Sequence, residues 1–228
     1  MQTVKWATAL ASLTAAMAYS GIASASTWAE VNAGDTPATA EVVLGASPLD
    51  AITGFLSVSS PVGGLPTYQV DLFKIVISNF NSFSARTVSA VQDDTALFLF
   101  DSSGHGVYMN DDNGVDFLSY LPSGSALGPS ANGTYYIGVG IGGMAAKDGS
   151  SADVFQVGSF TDVLAGAAGA GPVASWVQQF PTFSEAGLSY RIEFTGASPV
   201  PEASTWLLLC LGLAGLAAAG RRQRARVA

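Results

Sequence analysis

The residues best suited to chemistry are acidic and amide side chains concentrated in one short stretch. Within sixteen residues lie Asp101, Asn110, Asp111, Asp112, Asn113 and Asp116. Calcium takes about six to eight oxygen ligands, and loops rich in Asp and Asn can bring such oxygens together. The stretch is therefore a candidate calcium site, with Asp101, Asn110, Asp111, Asp112 and Asp116 as ligands. The alternative is that these side chains cap turns by bonding their own backbone, which needs no metal.

No arrangement of residues predicts an enzyme. His105 is the sole histidine, and its glycine-flanked turn is typical of a solvated loop rather than of the base in a Ser-His-Asp triad. A zinc site of the nitrogen and sulfur kind needs several His or Cys ligands, and the chain has one of each. Asp93 and Asp94 are sequence neighbours whose carboxyls should diverge, whereas glycosidases need two facing carboxyls about 5 to 9 Å apart.

Aromatic side chains offer a different kind of site, a face on which sugar rings could stack. The candidates are Tyr108, Tyr120, Tyr135, Tyr136, Trp176 and Phe180. Strand alternation places one of Tyr135 and Tyr136 outward, while packing in a core accounts for most of the others. A glycan-binding role therefore stays open beside a purely structural one.

These side chains must be positioned by β-strands. Alternation with a period of two predicts half-buried strands at 71–77 and 188–194, and continuous apolar runs predict central strands at 95–100 and 134–141. Weaker strands are expected at 41–44, 52–58, 82–91, 106–109 and 154–160. A helical turn is expected at 175–179 and a flexible connection at 164–171. The fold class is all-β, an antiparallel β-sandwich.

The N-terminal segment has the three parts of a secretory signal peptide. Lys5 opens a short basic region, residues 6–18 are apolar, and Ala23-Ser24-Ala25 forms a cleavage site of the A-x-A type. Residues 1–25 are therefore predicted to be a signal peptide helix that signal peptidase removes. Ser26 would then be the first residue of the exported domain, 26–198.

The C-terminal segment predicts a membrane span with a defined orientation. Residues 204–220 carry no charge, and as a helix they would be about 26 Å long, near the thickness of a hydrocarbon core. Trp206 suits the headgroup zone at one end. Arginines beside a span stay in the cytoplasm, and the basic tail 221–228 contains Arg221, Arg222, Arg224 and Arg226. The residues before Trp206 are therefore predicted to lie outside.

Removal of both ends would leave a strongly acidic protein. The whole chain has a net charge of −8. In residues 26–202 only Lys74, Arg86, Lys147 and Arg191 oppose all 17 acidic residues, a net charge of −13. Such a surface repels nucleic acid and anionic membrane, so no nucleic-acid partner is predicted. It suits cations, neutral glycans or solubility alone.

Residues 199–228 resemble the PEP-CTERM sorting signal of Gram-negative bacteria that make exopolysaccharide matrices. The resemblance covers the motif Val200-Pro201-Glu202, a small polar spacer, the apolar span and the basic tail. Ala203 replaces the second proline of the usual V-P-E-P-S-T form. The resemblance implies that an exosortase in the inner membrane recognises the signal and cleaves near it.

Six strings between about residues 30 and 196 resemble the bacterial pre-peptidase C-terminal domain. They include Val70-Asp71-Leu72-Phe73, the run 94–101, Asn110-Asp111-Asp112 and the run 133–136. The resemblance implies a jelly-roll-like antiparallel sandwich, and some such modules bind calcium near strand ends. No other cofactor is expected.

Together these observations predict an exported, non-enzymatic protein of the cell surface or extracellular matrix. An inner-membrane intermediate with a cytoplasmic C-terminus would precede its release, and its role would be structural or adhesive in exopolysaccharide or biofilm. The alternative is a secreted binding module whose ligand is a glycan, calcium or both.

Overall fold

The chain folds entirely as β-structure in the part that a computed structural model describes, residues 25–59, 67–89, 93–179 and 187–202. Those ranges contain sixteen strands and no α-helix. The strands are β1 (Ser26–Ala29), β2 (Glu41–Val42), β3 (Leu49–Leu56), β4 (Val58–Ser59), β5 (Thr67–Tyr68), β6 (Asp71–Ile77), β7 (Ser84–Val88), β8 (Thr95–Asp101), β9 (Gly106–Asn110), β10 (Tyr120–Leu121), β11 (Gly133–Ile141), β12 (Met144–Asp148), β13 (Val163–Ala165), β14 (Val173–Gln178), β15 (Leu188–Thr195) and β16 (Ala197–Ser198).

Two sheets form the body of the domain. One has the order β1-β3-β15-β7-β10, and the other has the order β13-β9-β8-β11-β6-β16, with β2 also paired to β6. Eight principal strands, counted from 1 to 8 along the chain, are β3, β6, β7, β8, β9, β10, β11 and β15. Their orders become 1-8-3-6 and 5-4-7-2, with every neighbouring pair antiparallel. This is the arrangement of a jelly roll, so the predicted fold class is confirmed.

The main hydrophobic core lies between the two sheets. Strands β6, β8 and β11 contribute apolar side chains from the seven-stranded sheet, and β3 and β15 contribute them from the five-stranded sheet. The alternation predicted for 188–194 is confirmed: Leu188, Tyr190, Ile192 and Phe194 are buried, and the intervening side chains are more exposed. Removal of this apolar surface from water is the principal source of stability in a domain without a disulfide.

A second core covers the outer face of the seven-stranded sheet. Leu72, Phe98, Phe100 and Tyr136 point to this side and pack with the β12–β14 pair and with residues 154–155. Strands β8 and β11 are therefore buried on both faces, which explains why their sequences are continuously apolar rather than alternating. The expectation that either Tyr135 or Tyr136 points to solvent is wrong, because each is only 8% exposed.

Three local expectations are wrong. Residues 154–160 make only an isolated bridge at Phe155, and the Ser159 N–H donates to the Asp162 carboxylate in a turn. Residues 175–179 hold no helical turn, since β14 pairs in register with β12. The supposed connection at 164–171 begins with β13, which adds an edge strand beside β9.

Both ends of the described domain are hydrogen-bonded to the rest of it. β1 begins at Ser26, the predicted first exported residue, and pairs parallel to β3. At the other end, the Val200 N–H donates to the Val43 carbonyl at 2.7 Å, and the Val200 carbonyl accepts from the Gly45 N–H at 3.2 Å. The predicted signal peptide helix and the predicted span at 204–220 lie outside the described residues. Within the described ranges, no helix has the length and apolar character needed to cross a membrane.

Candidate metal centre

Three carboxylates meet at one edge of the seven-stranded sheet. Asp94 immediately precedes β8, and Asp111 and Asp112 immediately follow β9. These strands are antiparallel neighbours whose register pairs Leu97 with Asn110, so the start of one and the end of the other reach the same edge. Each carboxylate places one oxygen within 4.8 Å of the others.

The β11–β12 turn completes this side of the cluster. Gly142 donates its N–H to the Asp94 carbonyl at 3.1 Å, and Gly143 donates its N–H to Asp111 Oδ2 at 3.0 Å. A Cβ atom at Gly142 would fall on the Asp94 carboxylate. Gly143 has a φ of 77°, a left-handed conformation that glycine adopts without strain. The two glycines thus let the turn approach the carboxylates closely.

Burial makes the negative charges in this cluster costly. Asp111 is 6% exposed, and its Oδ1 has no hydrogen-bond partner among the described residues. Burial, together with the carboxylates of Asp94 and Asp112, raises the pKa of Asp111 to about 7. Burial and then Asp112 raise the pKa of Asp94 to about 6. Burial and Asp116 also raise the pKa of the half-buried Asp112.

Among the described residues, no basic side chain neutralises the cluster. The ion pairs of Lys and Arg in those ranges involve Asp50, Asp153 and Glu193 instead. Two unit charges about 4.8 Å apart repel by roughly 3 kcal/mol at an effective dielectric constant of about 20. A hard cation would relieve this repulsion. The cluster contains oxygen donors alone, which suit calcium and magnesium better than zinc.

The structure places the predicted calcium ligands in two groups. Asp111 and Asp112 lie in the cluster, whereas Asp101, Asn110 and Asp116 are engaged in other hydrogen bonds. Asp101 Oδ1 accepts the N–H groups of Ser103 and His105.

Asn110 and Asp116 stabilise the loops beyond β9. The Asn110 amide donates to the carbonyls of Asp112 and Asp162 and accepts the Tyr120 N–H. Asp116 Oδ1 accepts from the Asn113 amide and from the Leu118 N–H. Turn chemistry therefore describes Asp116, as it does Asp101, whereas Asn110 connects separate loops.

Asp94 is the residue that sequence reasoning left out of the metal site. It lies seven positions before Asp101 and outside the oxygen-rich stretch. The register of the β8–β9 pair, not sequence proximity, brings it to Asp111. Pairing 95–100 with 106–109 as a hairpin would have indicated that residues just before the first strand face residues just after the second.

The other predicted sites are separated or buried. His105 is 46% exposed at a turn, and its Nδ1 lies 3.8 Å from Asp101 Oδ1. Asp93 accepts a hydrogen bond from Ser89, whereas its neighbour Asp94 lies with Asp111 and Asp112. Tyr108 is fully buried, and Trp176 packs edge-on against Phe98 with ring centroids 4.9 Å apart. Phe180 lies outside the described residues.

A second buried acid ties the two sheets together. Asp71 begins β6 and is 3% exposed, and the Tyr190 hydroxyl of β15 donates to its Oδ2 at 2.8 Å. Burial, assisted by the charges of Glu30 and Glu41, raises the pKa of Asp71 to about 7. Because this carboxyl faces the tyrosine across the core, it is a structural contact between the sheets.

Comparison with known proteins identifies the C-terminal segment. Residues 199–223 match the PEP-CTERM protein-sorting motif. No curated protein and no solved structure gives a significant match, so the likeness of the domain to the pre-peptidase C-terminal module stays a prediction. The chain thus carries a PEP-CTERM sorting motif, which implies an exported protein that is sorted through the membrane and processed by an exosortase.

Proposed function

We propose that this protein is a non-enzymatic component of the cell surface or extracellular matrix, with a structural or adhesive role in exopolysaccharide or biofilm. The observation that carries the proposal is the sorting motif at residues 199–223. The charge of −13 over residues 26–202 supports it, because an acidic domain stays soluble in a crowded hydrated matrix.

Processing would proceed in two cleavages. Signal peptidase removes residues 1–25, and the C-terminal span holds the chain in the inner membrane with the arginine tail in the cytoplasm. The exosortase then cleaves near Val200-Pro201-Glu202 and releases the sandwich to the surface or matrix. The membrane is thus a transient partner, and the extracellular polysaccharide matrix is the lasting surrounding of the released domain.

Intact-mass spectrometry of the protein from its native host tests this pathway. We expect a mass that lacks residues 1–25 and everything after about Glu202. The variant Glu202→Ala should retain the C-terminal segment because the motif loses its only charge, while the matched variant Asp35→Ala should be processed normally. A wild-type mass that includes the arginine tail would show a permanent anchor instead.

A second candidate function is a secreted module that binds glycan with the help of calcium. The observation in its favour is that Asp94 and Asp112 are half-buried beside the buried Asp111. A cation held there would keep coordination positions open to solvent, and sugar hydroxyl or carboxylate oxygens could fill them.

Retention of the host's exopolysaccharide by the purified protein separates the two candidates. Retention in about 5 mM calcium that EDTA abolishes supports the binding module, since weak extracellular calcium sites fill in the range of about 0.1 to 1 mM. If the protein retains no polysaccharide but deletion of its gene weakens the matrix, the structural role is supported.

A further inference from the structure

Asp111 carries an oxygen for which the fold provides no partner. Its Oδ2 accepts the Gly143 N–H, but Oδ1 is buried and has no hydrogen bond among the described residues. Buried polar atoms are rarely left in this state, and an ion that coordinates them is one of the few explanations. Asp94 and Asp112 lie beside it, and their carboxylates offer no hydrogen when ionised.

We propose that Asp94, Asp111 and Asp112 form a calcium site that joins the ends of β8 and β9 to the β11–β12 turn. Two oxygens on one calcium ion lie at most about 5 Å apart, because each bond is about 2.3–2.6 Å long. The three carboxylates already satisfy this limit, since they lie within 4.8 Å of one another. Up to six carboxylate oxygens are present, and water can complete the shell through the half-buried Asp94 and Asp112.

Calcium is favoured over magnesium by the construction of the site. Magnesium needs near-ideal octahedral geometry and keeps several waters, whereas Asp111 is 6% exposed and fixed through Oδ2 to the Gly143 backbone. A larger ion with flexible coordination accepts such an unsymmetrical set of ligands. This proposal specifies the calcium site of the calcium-dependent binding module. It rests on the proposed export only because export exposes the site to extracellular calcium.

The first measurement is thermal unfolding of the exported protein, purified from its host, with EDTA, CaCl₂ or MgCl₂ at constant ionic strength. Calcium bound only by the folded protein raises the unfolding temperature. At a concentration about a hundred times Kd, the expected rise is about 5–10 °C. Isothermal titration with CaCl₂ should show one ion per chain with a Kd of about 0.1–1 mM.

Variants distinguish the site from general screening of the acidic surface. Asp111→Asn and Asp94→Asn should lose the calcium response, yet melt at or above the wild-type temperature in EDTA because one buried like charge is gone. The amide oxygen introduced by Asp111→Asn can still accept the Gly143 N–H. If the carboxylate were purely structural, Asp111→Asn would instead melt below the wild-type temperature in EDTA. Gly142→Ala should also lose the response, since its Cβ displaces the Asp94 carboxylate.

Asp101→Asn is the matched control because Asp101 belongs to the same acidic region but caps a separate turn. It should keep the full calcium response. Equal shifts with magnesium, an equal response in Asp111→Asn and Asp101→Asn, or no calcium shift in the folded wild type would each overturn the proposal. None of these outcomes alters the mass measured for the processed protein, so the proposed processing is tested independently of the calcium site.

Discussion

Phe98→Ala is expected to lower the free energy of unfolding by about 3–5 kcal/mol, the range for truncation of a buried aromatic side chain. Phe98 is fully buried on the outer face of β8. Its ring lies 4.9 Å from that of Trp176 on β14 and 5.8 Å from that of Phe155. The truncation therefore removes part of the packing that holds the β12–β14 pair against the seven-stranded sheet.

Urea unfolding of the purified protein measures this loss. Phe117→Ala is the matched control because it deletes the same atoms from a side chain that is 52% exposed, and its cost should be a small fraction of that for Phe98. Equal costs would contradict the assignment of a second core to the outer face of the sheet.

Asp71→Asn is expected to stabilise the protein at pH 8 and to flatten its dependence on pH. The folded pKa of Asp71 is about 7, compared with an ordinary value of 3.8. Because burial favours the neutral form, the contribution of Asp71 to the free energy of unfolding is fully present below about pH 4. It is lost progressively up to about pH 7, and the free energy of unfolding stays at the lower level above that. The difference corresponds to about 4 kcal/mol between these limits.

Denaturant unfolding in EDTA at several pH values between 4 and 8 checks this sign. The amide oxygen introduced by Asp71→Asn can still accept the Tyr190 hydroxyl, so the variant removes the charge and keeps the contact. The wild type minus the variant isolates Asp71 from the other titrating carboxylates, and Asp35→Asn is the matched substitution at an exposed position. If Asp71→Asn proves less stable than the wild type at pH 8, the carboxyl is ionised at little cost and the burial argument fails.

The strands with a clear pattern could be predicted from the sequence. Alternation identified β6 and β15, and continuous apolar runs identified β8 and β11, because both features follow directly from which faces are buried. Strand β14 could not be found in this way. Its side chains are mostly exposed or half-buried, so pairing with β12 decides its conformation, and such pairing leaves no periodic signal.

The acidic site, likewise, could be predicted from the sequence only in part. Asp111 and Asp112 were recognisable from the density of Asp and Asn residues, but density alone also drew in Asp101, Asn110 and Asp116, which the structure holds in turns and loops. Asp94 required the antiparallel register between β8 and β9. The burial that leaves Asp111 Oδ1 without a partner depends on the β11–β12 turn, which is about thirty residues further along the chain.

If residues 204–220 span the membrane as the sequence predicts, the hydrogen bonds at Val200 would hold the sandwich close to the lipid. Only three residues, 201–203, separate this anchored position from Ser204, where the predicted span begins, and three extended residues reach about 10 Å. Cleavage before Val200 would require its hydrogen bonds to Val43 and Gly45 to break first. Cleavage after the exposed Glu202 would not. In the predicted topology, a domain of charge −13 would stay close to the headgroups until that cut, and electrostatic repulsion from anionic lipids would favour its departure.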